Sequence, residues 1–578
     1  MDAITLAVTR GKLERLTDEM DMLLVQGAFS PIISEAHDRA SGVYDAETGD
    51  IVVMGTNGLP NFAVTMQYAA KAVLEKAEAD GIHPGDVFLI NDPHATGTHL
   101  NDIKLIKPVF HGDRLACLLG NVAHWLDVGG SVAASYNPRA TEIFQEGIVI
   151  PPVKIYDKGQ LNEVALEIIV TNTRLPMENR GDFFTMFGCL KAGEARILEL
   201  IDRYSFDTFN EALKELTERS ERQMRSYIAE MPDGKYLANA LMDNDGIEDR
   251  TLEIALEVEV RGDALIFDFT GTSAACRGPF NAAPPTTMAA CFIALKHMYP
   301  DVPLNAGCFR PLSFVLPERS IVSAPIGSGQ GFYLEASLSV AAATLTALGQ
   351  AVPERAVGQP FATLPAVLTA GKHPTTGKFT AGLVVLEGGG YGGSQVSDGL
   401  INGAISVGAA RMPSLEVMEQ RYPVKYLHYG IRQDSGGPGE HSGGPGTEID
   451  MEFLGVDTKA TVMLDSQKNG SRGAFGGESG GTSSVEFEIS GKAFVPLMGK
   501  EVGLSVGEGD RITIKSPGGG GHGNPLDRSA DLVARDAVRG YVSIDGARSH
   551  YGVVLREDLS LDVEATELLR LERRERQA

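Results

Sequence analysis

The sequence predicts an α+β protein: a mixed, β-rich multi-layer fold that opens on a part built of helices and hairpins. Three observations lead there. Leu13, Leu16, Met20, Leu23 and Leu24 form one stripe at helical spacing within residues 2–27, so the chain opens on an amphipathic helix. From residue 252 the period changes to two: Leu252, Ile254, Leu256, Val258 and Val260 alternate with polar residues, and the chain returns through Leu265, Phe267 and Phe269 after a Gly262-Asp263 turn. The 67 glycines among 578 residues, about 12% against an average near 7%, cluster between such runs and predict many tight turns.

The elements follow in order. Residues 38–54 read as a hairpin around Glu47-Thr48-Gly49, residues 63–80 as a helix stopped by Gly81, and residues 87–90 as a short buried strand. Apolar-rich runs at 103–110 and 115–122 flank His111-Gly112-Asp113-Arg114, a strong hairpin signal. Helices are expected over 183–204, 210–229, 287–298 and 331–350, and strands over 449–464, 485–495 and 510–515. The expected division is an N-terminal part at 1–205, a β-rich middle part at 206–330 and a Gly-rich α+β C-terminal part at 331–578. EGGGYGGSQVSDG and HYGIRQDSGGPGEHSGGPG could offer backbone N–H groups to an anion, but turning the chain is the favoured reading. Lys515 precedes the run at 518–521, whereas a phosphate-binding P-loop needs its Lys after the glycines, so no nucleotide signature is present.

The 103–122 hairpin carries the densest group of metal-ligand side chains. With Gly112 and Asp113 as the turn, partners sum to about 225 in residue number, which pairs position 102 with 123 and brings Asp102 beside His124. His99 lies three residues before Asp102, so two imidazoles and a carboxylate meet at one end of the hairpin. That set, with positions left open, suits zinc, manganese or iron. Asp92 at the end of the buried strand and Glu146 in the loop after Trp125 are candidates for proton handling, Glu142 is a weaker one, and Asp127 could orient an imidazole.

Composition excludes several classes. Lys plus Arg total 51 against 76 for Asp plus Glu, a formal charge of −25, which argues against nucleic acid and anionic membranes as partners. Five cysteines without a Cys-x-x-Cys pair argue against a disulfide framework and fit a reducing cytoplasm. No signal segment or long apolar run is evident, and a cytoplasmic location is expected.

The motifs NDPHATGTHLNDIKLIKPVF, NVAHWLDVGG, TEIFQEGIVIPP, GTSAACRGPFN, YPVKYLHYGIRQDSGGPGEHSGGPG and PGGGGHGNPLDR, in this order, resemble the hydantoinase B/oxoprolinase family and its B-type chains. The resemblance implies a two-His, two-Asp metal site, mapped onto His99, Asp102, His124 and, in SEAHDRASGVYDAETG, Asp38. It implies that ATP and magnesium bind a separate A subunit with an actin-like ATPase fold, and that A–B pairs form a hetero-oligomer. On this basis the chain is expected to be the metal-containing B subunit of an ATP-dependent cyclic amidase, hydrolysing a hydantoin, 5-oxoproline or a lactam such as caprolactam after phosphorylation by the A subunit. The alternatives are the metal subunit of a ketone carboxylase of the acetone or acetophenone type, and a non-catalytic scaffold with a structural metal.

Overall fold

The computed structural model describes residues 2–577. It bears out the α+β class, combining helices with several sheets. Two compact units emerge. The first comprises residues 1–239, 253–341 and 407–414, and the second comprises 240–252, 342–406 and 415–578. Both expected boundaries, near 205 and near 330, fall inside the first unit.

The first unit is organised by a seven-stranded sheet. Its strands are β1 (Arg39–Tyr44), β2 (Ile51–Met54), β3 (Val87–Ile90), β4 (Asp102–His111), β5 (Arg114–His124), β6 (Val153–Asp157) and β7 (Gln160–Leu161), in spatial order β2-β1-β5-β4-β3-β6-β7. Every neighbouring pair is antiparallel. The helix Pro60–Asp80 lays Phe62, Ala63, Met66 and Val73 on one face, against Ala40, Tyr44, Phe88, Ile106, Leu118 and Val122. The helices Ala3–Gly27 and Pro176–Tyr204 cover the other face, where Gly193 lets Met20 and Leu119 approach. Residues alternate between these faces along each strand, so the sheet is buried on both sides and its strands read as nearly continuous apolar runs. The period-two stretch forms the hairpin Leu252–Arg261/Ala264–Asp268, joined in parallel by Leu312–Val315.

The second unit packs a four-stranded sheet over a five-stranded one. Val367, Val384, Met451, Phe453, Val462, Phe487 and Ile512 make the core between them. Thr447–Phe453 shows the alternating burial of a strand with one face in that core.

The glycine-rich segments are not the tight turns expected of them. Residues 518–521 run extended, with no positive φ, through a ring of other glycine-rich segments. Successive N–H groups go to different neighbours: Gly518 donates to Gly481 O at 3.1 Å, Gly519 to Gly444 O at 3.0 Å, Gly520 to Gln359 O at 2.9 Å, Gly521 to Glu478 O at 2.9 Å and His522 to His441 O at 2.9 Å. The direction repeats every third residue, the geometry of a polyproline-II-type helix bundled with its neighbours. Glycine is needed here for close approach. A Cβ on Gly519 would lie 2.1 Å from Tyr391 O, and one on Gly518 1.7 Å from Ser435 O. The two segments that could have faced an anion join the same bundle, Gly390 N–H going to Pro517 O at 3.1 Å, Gly393 to Gly520 O at 2.9 Å, Gly437 to Gly519 O at 2.8 Å and Gly444 to Tyr391 O at 2.8 Å, so these N–H groups are spent on packing.

Candidate metal centre

β4 and β5 form the expected hairpin, but its register differs by one residue from the simple count. Phe110 pairs with Leu115, yet Val109 pairs with Cys117, so a bulge at Ala116 shifts every pair below it and sets Asp102 opposite His124. The shift matters because directly opposed residues share a face of the sheet and a one-residue slip sends one of them to the other side. Without the bulge Ala123 would face Asp102, and His124 would point away.

β1 pairs with the other edge of β5. Arg39 lies opposite Ala123, and His124 N donates to Asp38 O at 3.1 Å, so the pairing continues to Asp38 opposite His124. Asp102, His124 and Asp38 therefore form one transverse row across three adjacent strands, at the end of the face covered by Pro60–Asp80. His99 joins from the loop before β4. Thr98 at φ 69° turns that loop, and Lys104, fully buried, donates to Gly97 O at 3.2 Å and Thr98 Oγ1 at 3.0 Å to hold it.

The donor atoms converge. His99 Nε2, His124 Nδ1 and Asp102 Oδ1 are mutually 3.2 Å apart, and Asp38 Oδ2 is 3.9 Å from His124 Nδ1. Ligands about 2.1 Å from one ion are separated by roughly 3.0 Å at octahedral and roughly 3.4 Å at tetrahedral edges, which brackets that spacing. His99 Nδ1 faces Gly331 O at 3.0 Å, and a carbonyl only accepts, so the proton sits on Nδ1 and the Nε2 lone pair of the neutral ring looks at a carboxylate oxygen. Two acceptors at that distance need a cation between them or a proton on the ring. Asp38 Oδ1 is buried and has no hydrogen-bond partner, a further sign that the cluster suits a positive ion.

The charge states agree. Burial raises Asp38 to about 6, with His124 pulling it down and Asp102 adding to the rise. Burial opposes the charged form of Asp102 too, yet His99 and His124 hold it far below the usual carboxylate range. For His99, burial works downward and Asp102 more than reverses it, leaving the imidazole raised.

Glu146 is buried and both its oxygens are engaged: Oε2 accepts Gln330 N–H at 3.1 Å and Oε1 accepts Gly331 N–H at 2.9 Å. Burial pushes it up to about 7, partly offset by those two N–H groups. Because the same Gly331 orients His99 through its carbonyl, Glu146 is tied to the ligand row through this one residue. Asp92 caps the one-turn helix Pro93–Thr96, accepting His94 N–H at 3.0 Å. Glu142 is exposed. Asp127 accepts N–H groups from Gly129, Ala134 and Arg174 and pairs with the Arg174 guanidinium at 3.2 Å, so it fixes a loop instead of an imidazole.

Sequence reading missed two phenols. The Tyr136 ring lies edge-on to His99 at 5.5 Å and its hydroxyl 3.5 Å from His124 Nε2, and the Tyr333 ring is edge-on to His99 at 5.1 Å. Burial, then the field of Asp38 and Asp102, lifts both hydroxyls well above the usual tyrosine range. Neither carries a metal-ligand or spacing signal in sequence.

Comparison with known proteins agrees with this architecture. The chain belongs to the hydantoinase B/oxoprolinase family, whose model matches residues 2–525. It is 31% identical to the beta subunit of caprolactamase from Pseudomonas jessenii, over 98% of each chain. The crystal structure of that ATP-dependent caprolactamase superposes with a TM-score of 0.90 at 29% identity, covering 99% of this chain and 100% of that one. A Pseudomonas sp. protein named as the B component of a D-/L-hydantoinase is 28% identical over 99% of this chain and 98% of its own. A nucleotide-free acetone carboxylase structure reaches a TM-score of 0.90 at 20% identity, covering 100% of this chain and 83% of that one, and shows the fold alone. No helix among the described residues is long and apolar enough to cross a membrane.

Proposed function

We propose that this chain is the metal-containing B subunit of an ATP-dependent cyclic amidase that opens a hydantoin, 5-oxoproline or lactam ring. The carrying observation is the convergence of His99, Asp102 and His124 on one point within a buried row that Asp38 completes. Similarity to caprolactamase and hydantoinase chains supports the choice of cyclic amides. His99 through Nε2, His124 through Nδ1, Asp102 and Asp38 would hold one divalent ion, zinc, manganese or iron. When bound, such an ion supplies Lewis-acid polarisation and a nucleophile from water at neutral pH.

The chain's own residues do the rest. Gly331 O keeps the His99 proton on Nδ1 and so keeps Nε2 directed at the centre. Glu146 clamps the 330–331 peptides that deliver that carbonyl, a positioning role. The two aspartates concentrate negative charge that offsets the positive charge of an ion. A ring amide is a weak electrophile with a poor leaving group, which is why activation by ATP is assigned to a partner A subunit, in a hetero-oligomer of A–B pairs located in the cytoplasm. A ketone carboxylase is the second reading, favoured by the shared fold with acetone carboxylase.

The test is to co-purify the chain with an ATP-binding A-type partner and supply hydantoin, 5-oxoproline, caprolactam and acetone with ATP and isotopically labelled bicarbonate. Ring-opened product formed with phosphate release and without incorporated label supports the amidase. Label retained in a carboxylated ketone would overturn it.

A further inference from the structure

The face of the seven-stranded sheet turned away from the metal row carries a cavity of about 940 Å³, within the first unit. It lies between the helices Ala3–Gly27 and Pro176–Tyr204 and the start of β1, and its volume is in the range of small-molecule sites. Leu16, Met22, Val25 and Leu200 give it an apolar wall. Two charged residues that line it are almost wholly buried, Asp21 at 1% exposure and Arg39 at 3%. Neighbours along a strand point to opposite faces, so Arg39 belongs to this side while Asp38 belongs to the metal row.

The buried pair is incomplete. Arg39 Nη1 donates to Asn57 O at 2.6 Å and stands 3.4 Å from Asp21 Oδ2. Both carboxylate oxygens of Asp21 and the Nε of Arg39 are buried without a hydrogen-bond partner. A buried acceptor without donors and a buried donor without an acceptor are each costly, and here the two deficits lie side by side. Burial raises Asp21 to about 7, against the pull of Arg39. Other charges around the cavity are already engaged. Arg196 pairs with Glu19 and Glu199 at 3.3 Å, and Asp18 accepts Thr56 N–H at 2.6 Å. Arg15 and Arg411 also line the cavity, are exposed, and form no ion pair among the described residues. Arg411 arrives from a segment distant in sequence, its N–H held by Ala36 O at 3.0 Å.

A ligand that completes this pair brings an ammonium to Asp21 and a carboxylate to Arg39. Because the two side chains stand 3.4 Å apart, it carries both groups on one carbon. The two unpaired guanidinium groups at the rim suit a second carboxylate. We propose that this cavity is a second small-molecule site, which takes an acidic α-amino acid with its ammonium on Asp21, its α-carboxylate on Arg39 and its side-chain carboxylate at Arg15 and Arg411. Addition of water across the amide bond of 5-oxoproline gives glutamate, a molecule of this class, so a product would be held on the reverse of the strand next to Asp38. That link to the product rests on the amidase reading, whereas the site rests on the cavity.

The experiment titrates L-glutamate by calorimetry into the zinc-loaded full chain with its A-type partner. Expected is saturable binding, weakened at least about tenfold for glutarate, which lacks the ammonium, and to a similar degree in Asp21→Asn and Arg411→Ala. The exposed Arg411→Ala should keep its melting temperature and metal content, and so decides the matter even if Asp21→Asn fails to fold. Folded His124→Ala should still bind glutamate, since the metal row lies on the other face. Wild-type affinity in Arg411→Ala, equal affinity for glutarate, loss of binding in folded His124→Ala, or no saturable binding up to about 10 mM would each overturn the proposal. Should the wild-type complex open no cyclic amide, the amidase reading fails by itself, and the glutamate titration still decides the cavity.

Discussion

The ligand row of the first unit and the glycine bundle of the second solve the same problem by opposite means. Both put polar groups where water does not reach. The row does it with ionisable side chains, which must be balanced by charge: Asp38, Asp102, His99 and His124 are stable together only as a set with a cation or shared protons. The bundle does it with backbone alone, its N–H groups meeting carbonyls, and at its centre it has no room for a side chain. One region keeps a property that chemistry can use. The other spends its polar groups on its own packing and gives a rigid, inert body.

The comparison can be broken first at the row. Replacing His124 by Ala removes one donor and leaves two buried carboxylates short of a partner, so metal content should fall to background and ring-opening by at least about 10³-fold, read by elemental analysis and turnover on one preparation. Full activity in a metal-free variant would end the assignment. The bundle breaks differently. Gly519→Ala drives a Cβ to 2.1 Å from Tyr391 O, and because the obstacle is backbone the expected outcome is a loss of several kcal/mol or failure to accumulate folded protein, while Gly262→Ala, at an open hairpin turn with φ 60°, should cost only about 1 kcal/mol. Equal melting curves for the two variants would refute the close-packing account.

The third prediction sharpens the contrast with a lone buried charge. Glu387 in the second unit takes a hydrogen bond from Thr447 Oγ1, and burial raises it to about 7. A folded-state value above the unfolded one means its stabilising contribution is full below about pH 4.5 and is lost as pH rises through 7. Glu387→Gln should therefore gain on the wild type by about 2–3 kcal/mol between pH 5 and pH 8 in denaturant titrations. An unchanged difference across that range would show that Glu387 is ionised at no cost.

Much of the first unit was legible because its signals are local. The Gly112-Asp113 turn located the hairpin, and the spacing of His99 to Asp102 brought three donors to its end. The bulge at Ala116 was not legible, since an extra residue in one strand leaves the apolar pattern of a doubly buried hairpin nearly unchanged. Asp38 entered by resemblance, and the structure shows why spacing could not supply it: the β1–β5 pairing joins residues more than about seventy positions apart in sequence. In sequence the glycine segments read as turns, because a glycine needed for positive φ and one needed for close approach look alike there.

By itself the sequence determined the α+β class, the hairpin, the family and three of the four converging donors, because periodicity, turn chemistry and short loops act over a few residues. The tertiary structure alone decided the face on which His124 points, the arrival of Asp38, the two phenols at His99 and the bundling of the glycines. Those depend on pairing and packing between distant segments, where a shift of one residue or one methyl group changes the outcome and no local pattern records it.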